Sequence, residues 1–252
     1  MTNNYEEELI QYCKKLKNEN IECTLCVDSN IGGGKSTLLQ LLSQNEMLKD
    51  YIELLFEPVE KWQSVQNKHN LLDYFYKDPK KYGYIFQTMT IITRMEMHNN
   101  ANKNKLVIGE RSWLTDRHVF VEQLYEDKIL NELEYDCYKE WYKYWSQKSN
   151  VDGILYLNTS PQECYRRKHL LRQRKEEESI PLVYLEKLHN RHVTWLESEE
   201  TKKYLIVETV NGNTNFIENK EDFNKILQSI TNLLKNIYEK KSKKQWLSDA
   251  SK

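Results

Sequence analysis

The stretch that decides the fold is Asp28-Ser29-Asn30-Ile31-Gly32-Gly33-Gly34-Lys35-Ser36-Thr37. It follows a short apolar run at 22–28 and precedes a leucine-rich segment that has the character of a helix. Only 7 glycines occur in 252 residues, and three of them are consecutive here. Glycines between a strand and a helix allow backbone N–H groups to point inward around phosphate oxygens. The segment therefore predicts a phosphate-binding loop within a strand–loop–helix unit.

The side chains of this loop indicate a nucleoside triphosphate with a divalent metal. We expect Lys35 to reach the terminal phosphates and Ser36 to ligate Mg²⁺, while the N-terminus of the next helix favours negative charge. Ser29 stands where the motif usually has its first glycine, and we expect it to adopt the turn at a modest conformational cost. The predicted nucleotide-binding residues here are Asn30, Ile31, Gly32, Gly33, Gly34, Lys35, Ser36 and Thr37.

Five apolar runs rich in β-branched residues recur along the chain, and segments long enough for helices separate them. The predicted strands are 22–28, 51–56, 105–109, 153–158 and 203–208. The predicted helices are 35–46, 80–101, 131–148, 161–173, 181–199 and 221–240. Near-continuous apolar strands that alternate with helices predict an α/β fold, with a five-stranded parallel sheet flanked by helices.

The composition excludes several classes of protein. The 37 basic and 38 acidic residues leave a formal charge of -1, which predicts no general attraction to nucleic acid. No stretch approaches the ~20 apolar residues of a membrane span, and the acidic opening resembles no leader segment. We therefore expect a cytoplasmic protein without membrane contact. The lack of a flexible linker predicts one domain over residues 1–252, with a flexible polar tail at about 241–252.

Two predicted strands end in acids near the phosphate loop. Glu57 follows the second strand, and Glu110 and Arg111 follow the third. In open α/β sheets the site lies beyond the carboxyl ends of the strands. We expect Glu57 to accept the proton of an attacking hydroxyl, Glu110 to anchor the metal with Ser36, and Arg111 to steady the developing charge. Glu110 as the proton acceptor remains an alternative.

Five stretches, the phosphate loop among them, carry a family resemblance. They are SNIGGGKST (29–37), FEPVEKW (56–62), FQTMTIITR (86–94), ERSWLTDRHVF (110–120) and RQRKEEESIPLVYLEKLH (172–189). In this order they resemble the deoxyribonucleoside kinases, in particular the deoxycytidine/deoxyguanosine kinase-like enzymes. The resemblance implies a P-loop kinase fold with a helical lid, ATP as donor with Mg²⁺, a small deoxynucleoside as acceptor, and a homodimer.

The same resemblance implies roles for individual residues. Glu57, Arg111 and Glu110 would be catalytic, and Gln87 would read the nucleobase edge. Glu221, Asp222 and Phe223 look like the loop around the donor adenine. The residues implied to bind the acceptor are Glu57, Trp62, Tyr76, Phe86, Gln87, Arg94, Arg111, Asp116, Phe120 and Glu177.

Arg94 and Asp116 bear on the choice of base. Both match the cytidine- and purine-preferring branch of the family, and a carboxylate held by arginine can accept from an exocyclic amine. Thymine has no such amine. We therefore rank deoxycytidine and the purine deoxynucleosides ahead of thymidine, which leaves a thymidine kinase of the same family as an alternative.

The densest basic cluster lies within the predicted lid, at about 166–180. Arg172 and Arg174 match lid arginines that clamp the transferring phosphoryl group, whereas Arg167 and Lys168 compete for one further position. Guanidinium groups suit phosphate oxygens, and an acidic run directly after the cluster weakens a nucleic-acid interpretation.

Two other functions compete with nucleoside phosphorylation. A nucleoside monophosphate kinase would need extra basic residues near Glu57 for the acceptor phosphate, and Trp62 and Gln87 argue against it. A P-loop protein that binds ATP without turnover would need no base and no lid arginines. The phosphorylation of the 5′-hydroxyl of a deoxynucleoside, in nucleotide salvage, is the function that the sequence favours.

Overall fold

The computed structural model describes residues 5–148, 150–172 and 174–250, with backbone alone for residues 172 and 244–250. Five parallel strands form one sheet in the order β2-β3-β1-β4-β5. The strands are β1 (Thr24–Asp28), β2 (Ile52–Leu55), β3 (Leu106–Glu110), β4 (Gly153–Asn158) and β5 (Ile206–Asn211). The sheet confirms the predicted α/β fold.

Helices connect the strands and cover the sheet. They are α1 (Tyr5–Asn18), α2 (Lys35–Ser43), α3 (Val59–Gln63), α4 (Leu71–Lys77), α5 (Pro79–Asn99), α6 (Trp113–Thr115), α7 (Glu122–Glu126), α8 (Glu132–Ser146), α9 (Pro161–Arg167), α10 (Leu182–Glu197), α11 (Glu199–Tyr204) and α12 (Lys220–Ala250). Two π-helical turns, Asp116–Val121 and Lys168–Arg172, continue α6 and α9, and a short 3₁₀ turn spans Lys175–Glu177.

The five predicted strands lie within a few residues of the observed ones. The largest shift is in β5, which begins at Ile206 rather than 203 because the preceding residues form α11. Ser198 starts that helix by accepting a hydrogen bond from the backbone N–H of Thr201 at 3.2 Å. The last helix is longer than predicted, since α12 continues through most of the segment that we expected to be a flexible tail.

The core has two parts, one on each face of the sheet. In β1, Leu25 and Val27 pack into a cluster with α1, α2 and α12, whereas Cys26 packs into a cluster with α5, α8 and α10. Alternate residues of a strand point to opposite faces. This two-sided burial explains why the strands are apolar almost throughout.

The register of the sheet sets the position of the phosphate loop. Val27 of β1 pairs with Glu110 of β3, and Asp28 pairs with Tyr156 of β4. The loop after β1 therefore leaves the sheet at its centre, beside the end of β3. Among the described residues, no helix combines the length and the apolar character needed to cross a membrane.

Candidate active site

The phosphate loop has the backbone shape that its glycines permit. Gly32 and Gly34 have φ angles of 78° and 101°, in the left-handed region that glycine adopts without steric cost. Gly34 directly precedes α2 and lies close to Phe216, because a Cβ atom at position 34 would be 3.1 Å from its ring. The loop therefore opens onto the N-terminus of α2, as an anion-binding loop requires.

Ser29 occupies the first position of the loop without a left-handed backbone. It is fully buried, and its hydroxyl donates to the carbonyl of Leu157 in β4 at 2.7 Å. The positive-φ residues do not include it. A Cβ atom at Gly33 would lie only 1.9 Å from Ser29 Oγ, so the hydroxyl fills the space of a larger residue at 33. We expected a conformational cost because Ser29 replaces a glycine, but its backbone φ is not positive, so serine is accommodated here without left-handed strain.

Lys35 is the buried cation of the loop. Its ammonium donates to the carbonyl oxygens of Ser29 at 3.1 Å and Asn30 at 2.8 Å. Burial, together with the nearby charge of Arg111, lowers the pKa of Lys35 to about 7. A bound anion would compensate this cost, since an opposite charge favours the protonated form.

A large cavity lies in front of the loop. Its volume is about 700 Å³, within the range of ligand pockets. Its lining combines residues 32–37 with Glu163, Arg166, Arg167, Arg174 and the segment 213–218. Thus Gly32 to Thr37 face the cavity as predicted.

Asn30 and Ile31 face elsewhere. The amide of Asn30 donates to the carbonyl of Leu185 in α10 at 2.7 Å, so that its side chain anchors the loop from behind. Ile31 lines a second cavity, described below. Neither residue lines the large cavity, and the Ile31 N–H donates to Asn30 Oδ1 at 2.9 Å, so their contact with a nucleotide stays a prediction.

Ser36 and Glu110 form an oxygen pair beside the loop. Ser36 Oγ donates to Glu110 Oε1 at 2.7 Å. Mg²⁺ prefers such hard oxygen ligands and usually completes its shell with water and substrate phosphates rather than with a protein cage. The described residues contain no group of three or more His, Cys, Asp or Glu that could hold a metal alone. The residues present thus fit a magnesium ion that arrives with a nucleotide.

Glu57 is a buried carboxylate held by two guanidinium groups. Its Oε1 accepts from Arg111 Nη1 at 2.8 Å and from Arg94 Nη2 at 3.0 Å, and its side chain is 6% exposed. Burial raises the pKa of Glu57, but Arg111 and then Arg94 outweigh it and hold the pKa well below its usual range. The carboxylate is therefore ionised at neutral pH, and both bonds use a single oxygen.

Arg94 also fixes Asp116. Its Nε and Nη2 donate to the two carboxylate oxygens at 2.9 and 3.3 Å, and its Nη1 donates to the carbonyl of Glu110 at 2.9 Å. Burial raises the pKa of Asp116, although the charge of Arg94 acts against it. The guanidinium thereby ties the end of β3, Glu57 and Asp116 into one unit.

Arg111 has an uncommon backbone conformation. Its φ of 61° lies in the left-handed region, which costs roughly 1–2 kcal/mol for a residue with a side chain. Its N–H donates to the carbonyl of Val27 at 3.0 Å and extends the β1–β3 ladder. Its side chain joins Glu57 to the loop, because Nη2 lies 3.4 Å from the Ser29 carbonyl. Strained residues that surrounding bonds hold in place are typical of active sites.

A second cavity, which we call the acceptor pocket, brings together all ten residues predicted to bind the acceptor. Ile31, Leu72, Thr90 and Arg174 complete its wall. Phe75 and Phe86 stack at 4.7 Å, Trp62 meets Phe86 edge-on at 5.5 Å, and the Arg111 guanidinium lies 5.0 Å from the Phe120 ring centre. The free volume is about 40 Å³, well below the roughly 300–1,000 Å³ of a typical ligand pocket.

Two basic residues of the lid have different surroundings. Arg167 lines the large cavity, and its guanidinium donates to the Gly212 carbonyl at 2.9 Å. Lys168 instead turns its ammonium to the carbonyl oxygens of Glu177 and Ile180, both at 2.8 Å. Of the two residues that competed for one lid position, Arg167 is the one that reaches the cavity.

Arg174 lies at the junction of the two cavities, since it lines both. Its Nη1 is 2.8 Å from Glu177 Oε1. Arg172, the other predicted lid arginine, has a side chain that lies outside the described residues. The role of Arg172 stays a prediction.

The structure does not bring Glu221, Asp222 and Phe223 to the large cavity. They form the start of α12, where Asp222 pairs with Lys225 and Phe223 packs against the core. The segment 213–218 lines the cavity instead. The sequence carries a signal for it: Gly212, Asn213 and Asn215 follow β5 directly, so these turn-forming residues lie at the carboxyl edge of the sheet.

A phosphate loop on the central strand of a parallel sheet, with a separate acceptor pocket at the same edge, defines a P-loop phosphotransferase. The sequence model described as "Deoxynucleoside kinase" matches residues 25–235. The chain belongs to this family and is a deoxynucleoside kinase.

Three relatives illustrate the range of the family. The fowlpox virus protein "Probable deoxycytidine kinase FPV151" is 34% identical over 219 residues, which cover 85% of this chain and 89% of the relative. The mitochondrial deoxyguanosine kinase of Xenopus laevis is 36% identical over 201 residues, 71% and 74% of the two chains. The mitochondrial thymidine kinase 2 of Homo sapiens is 37% identical over 175 residues, 68% and 63% of the two chains.

Proposed function

We propose that this protein transfers the γ-phosphoryl group of Mg²⁺-bound ATP to the 5′-hydroxyl of a deoxyribonucleoside, with deoxycytidine or a purine deoxynucleoside preferred to thymidine. The observation that carries the proposal is the bridge made by Arg111. One guanidinium contacts Glu57 at the acceptor pocket and the Ser29 carbonyl of the phosphate loop. Arg111 thereby sets the distance between Glu57, the proposed proton acceptor, and the phosphate loop.

We assign each step of the transfer to a residue of the site. Glu57 accepts the hydroxyl proton as the new O–P bond forms, and its low pKa is sufficient because phosphoryl transfer needs a well-placed base more than a strong one. Lys35 and the lid arginine Arg174 stabilise charge on the phosphoryl oxygens. Ser36 and Glu110 would hold a magnesium ion, which would supply positive charge to the phosphates.

The electrostatics of the acceptor pocket favour a nucleoside over a nucleoside monophosphate. Arg94 and Arg111 pair with Glu57, Arg94 also pairs with Asp116, and Arg174 pairs with Glu177. A monophosphate carries charge that needs cations of its own. The arginines in the described wall of the pocket are already matched by carboxylates, so a neutral acceptor fits better.

Asp116 supports the preference for cytosine or purine bases. Its carboxylate faces the pocket and is oriented by Arg94, and a carboxylate oxygen can accept from an exocyclic amine of cytosine or adenine. Thymine presents a carbonyl to the same group, and a buried acceptor facing an acceptor is unfavourable. The 37% identity to thymidine kinase 2 makes a thymidine kinase the second candidate.

The test is a panel of the four deoxynucleosides with ATP and UTP as donors. We expect kcat/KM for deoxycytidine or a purine deoxynucleoside to exceed that for thymidine by at least roughly tenfold. A best rate with thymidine would overturn the base preference. Transfer to monophosphates in place of nucleosides would overturn the choice of acceptor.

We also propose a homodimer. The helices α5 and α8 pack against each other, and both carry exposed apolar side chains. Ile85 and Ile92 of α5 are 51% and 37% exposed and share one helix face. On α8 the exposed residues Leu133, Cys137, Trp141 and Tyr144 follow one helix stripe. Contiguous exposed apolar residues of this kind mark protein–protein contacts.

A further inference from the structure

Glu176 ties the lid to the helices that wall the acceptor pocket. Its Oε1 accepts from Asn70 Nδ2 at 2.8 Å and from Gln63 Nε2 at 2.9 Å. These partners are more than a hundred positions away in sequence, so the bonds join separate parts of the fold. Burial raises the pKa of Glu176, but the bond from Asn70 and the other bonds lower it overall, which keeps the carboxylate ionised.

Both partners hold elements that carry acceptor-pocket residues. Asn70 caps α4, since its Oδ1 accepts from the Asp73 N–H at 2.9 Å, and α4 carries Tyr76. Gln63 is the last residue of α3 and directly follows Trp62. Glu176 is therefore bonded to residues at the end of α3 and the start of α4, the two helices that carry Trp62 and Tyr76.

On the lid side, Glu176 lies between Arg174 and Glu177, which both line the acceptor pocket. Glu177 follows it and lines the acceptor pocket, and Arg174 precedes it by two residues and lines both cavities. The ion pair of Arg174 with Glu177 at 2.8 Å makes this stretch one unit. The position of Glu176 therefore determines where Arg174 stands relative to the transferring phosphoryl group.

We propose that Glu176 is a positioning residue that latches the lid onto α3 and α4, and that its two bonds hold the closed arrangement in which phosphoryl transfer takes place. A nucleoside enters when the latch opens, and reclosure over it places Arg174. The inference rests on the proposed function of Arg174 as a phosphoryl clamp.

An exchange of donor and acceptor tests the latch. Glu176→Gln removes the charge of the acceptor, and Asn70→Asp removes the amide donor while its carboxylate still caps α4. Each single variant should lower kcat roughly tenfold without raising the KM for the nucleoside, because charge-assisted bonds are lost from the closed state but not from the pocket wall. The double variant N70D/E176Q restores an amide–carboxylate bond with the roles reversed, and kcat should recover to within about threefold of wild type.

The matched control is Glu178→Gln, which removes the same charge from an exposed lid position two residues away. It should leave kcat and KM unchanged. Additive losses in the double variant, or an equal loss in Glu178→Gln, would show that residues 70 and 176 do not act as a pair and would overturn the proposal.

A second measurement separates the latch from the proposed function. Amide hydrogen exchange of segment 174–180 without substrate should be faster in each single variant and return toward wild type in the double variant. Failure of wild-type enzyme to phosphorylate any deoxynucleoside would contradict the proposed function and leave this exchange experiment valid. Unchanged exchange in all variants of an active enzyme would contradict the latch alone.

Discussion

At the active site, charges of both signs are buried together in equal number. Arg94 and Arg111 face Glu57 and Asp116, all four almost fully buried. An unpaired buried charge is strongly unfavourable, and pairing with several hydrogen bonds offsets the cost of leaving water. The two guanidinium groups therefore keep Glu57 ionised, and loss of any one member leaves a net buried charge in the cluster.

The sequence predicted the chemical types of these residues better than their contacts. Glu57, Glu110 and Arg111 follow apolar strands, and the carboxyl ends of parallel strands meet at one edge. That Arg94 bonds Glu57 as well as Asp116 depends on how α5 packs against the end of β3, which no local pattern specifies. We therefore expect replacement of Arg94 to disturb both Glu57, the proposed proton acceptor, and Asp116, the proposed nucleobase-reading group.

The close approach of Ser29 Oγ to Gly33 leads to a prediction about single residues. Gly33→Ala should destabilise the protein by on the order of 1–3 kcal/mol, because the new methyl group collides with Ser29 Oγ at 1.9 Å. In the double variant S29G/G33A the collision is absent, so at least half of the loss should be regained. Urea unfolding of the four proteins of this double-mutant cycle measures the effect. Equal stability of Gly33→Ala and wild type would contradict the pairing.

Among the helices, predictability did not follow length: the 14-residue α1 was not predicted, and the longest helix, α12, continues past its predicted end. α5 and α10 have clear apolar periodicity and lie close to their predicted ranges. The short helices α3 and α4 and the π-helical turn Asp116–Val121 were not predicted, because a turn or two of helix carries too few apolar repeats to be recognised. Residues 221–223 were predicted to line the large cavity, but segment 213–218 lines it instead. The prediction used a short local similarity at 221–223. Which residues reach the cavity depends on how near they lie to the end of a strand.

The lid segment yields a second prediction, at Lys168. Its ammonium holds the carbonyl oxygens of Glu177 and Ile180, and thus joins the start of the lid to its end. Lys168→Met should accelerate hydrogen exchange in segment 174–180 and lower kcat by roughly tenfold, since buried carbonyls lose charged donors. The exposed Lys175→Met serves as the control, with no expected change. Identical exchange in the two variants would contradict a structural role for Lys168.

For the whole molecule, the alternation of apolar strands and helical segments predicted the fold class. It did not predict which apolar side chains are exposed on the surface. The exposed stripe on α8 is invisible in a sequence whose other helices also carry aromatic residues, because exposure depends on what packs against each face. The proposed dimer is therefore argued from the exposed side chains of the structure and from the family resemblance together.

The dimer yields the prediction at the scale of the molecule. Trp141→Glu combined with Ile85→Glu should convert a dimer into a monomer, because it places charges in an apolar contact. Light scattering coupled to size-exclusion chromatography gives the mass directly. Met47→Glu, at an exposed apolar site outside α5 and α8, is the control and should remain dimeric. A wild-type mass of about 30.4 kDa in solution would contradict the dimer.

The central claim is that Glu57 accepts the proton of the nucleoside hydroxyl while the phosphate loop holds the donor. Its most direct test is single-turnover transfer of labelled γ-phosphate by Glu57→Gln, with nucleoside affinity measured in parallel and the exposed Glu60→Gln as control. The account predicts a fall in the transfer rate of roughly 10²–10⁴-fold, with nucleoside affinity changed far less. A transfer rate equal to that of wild type would contradict it.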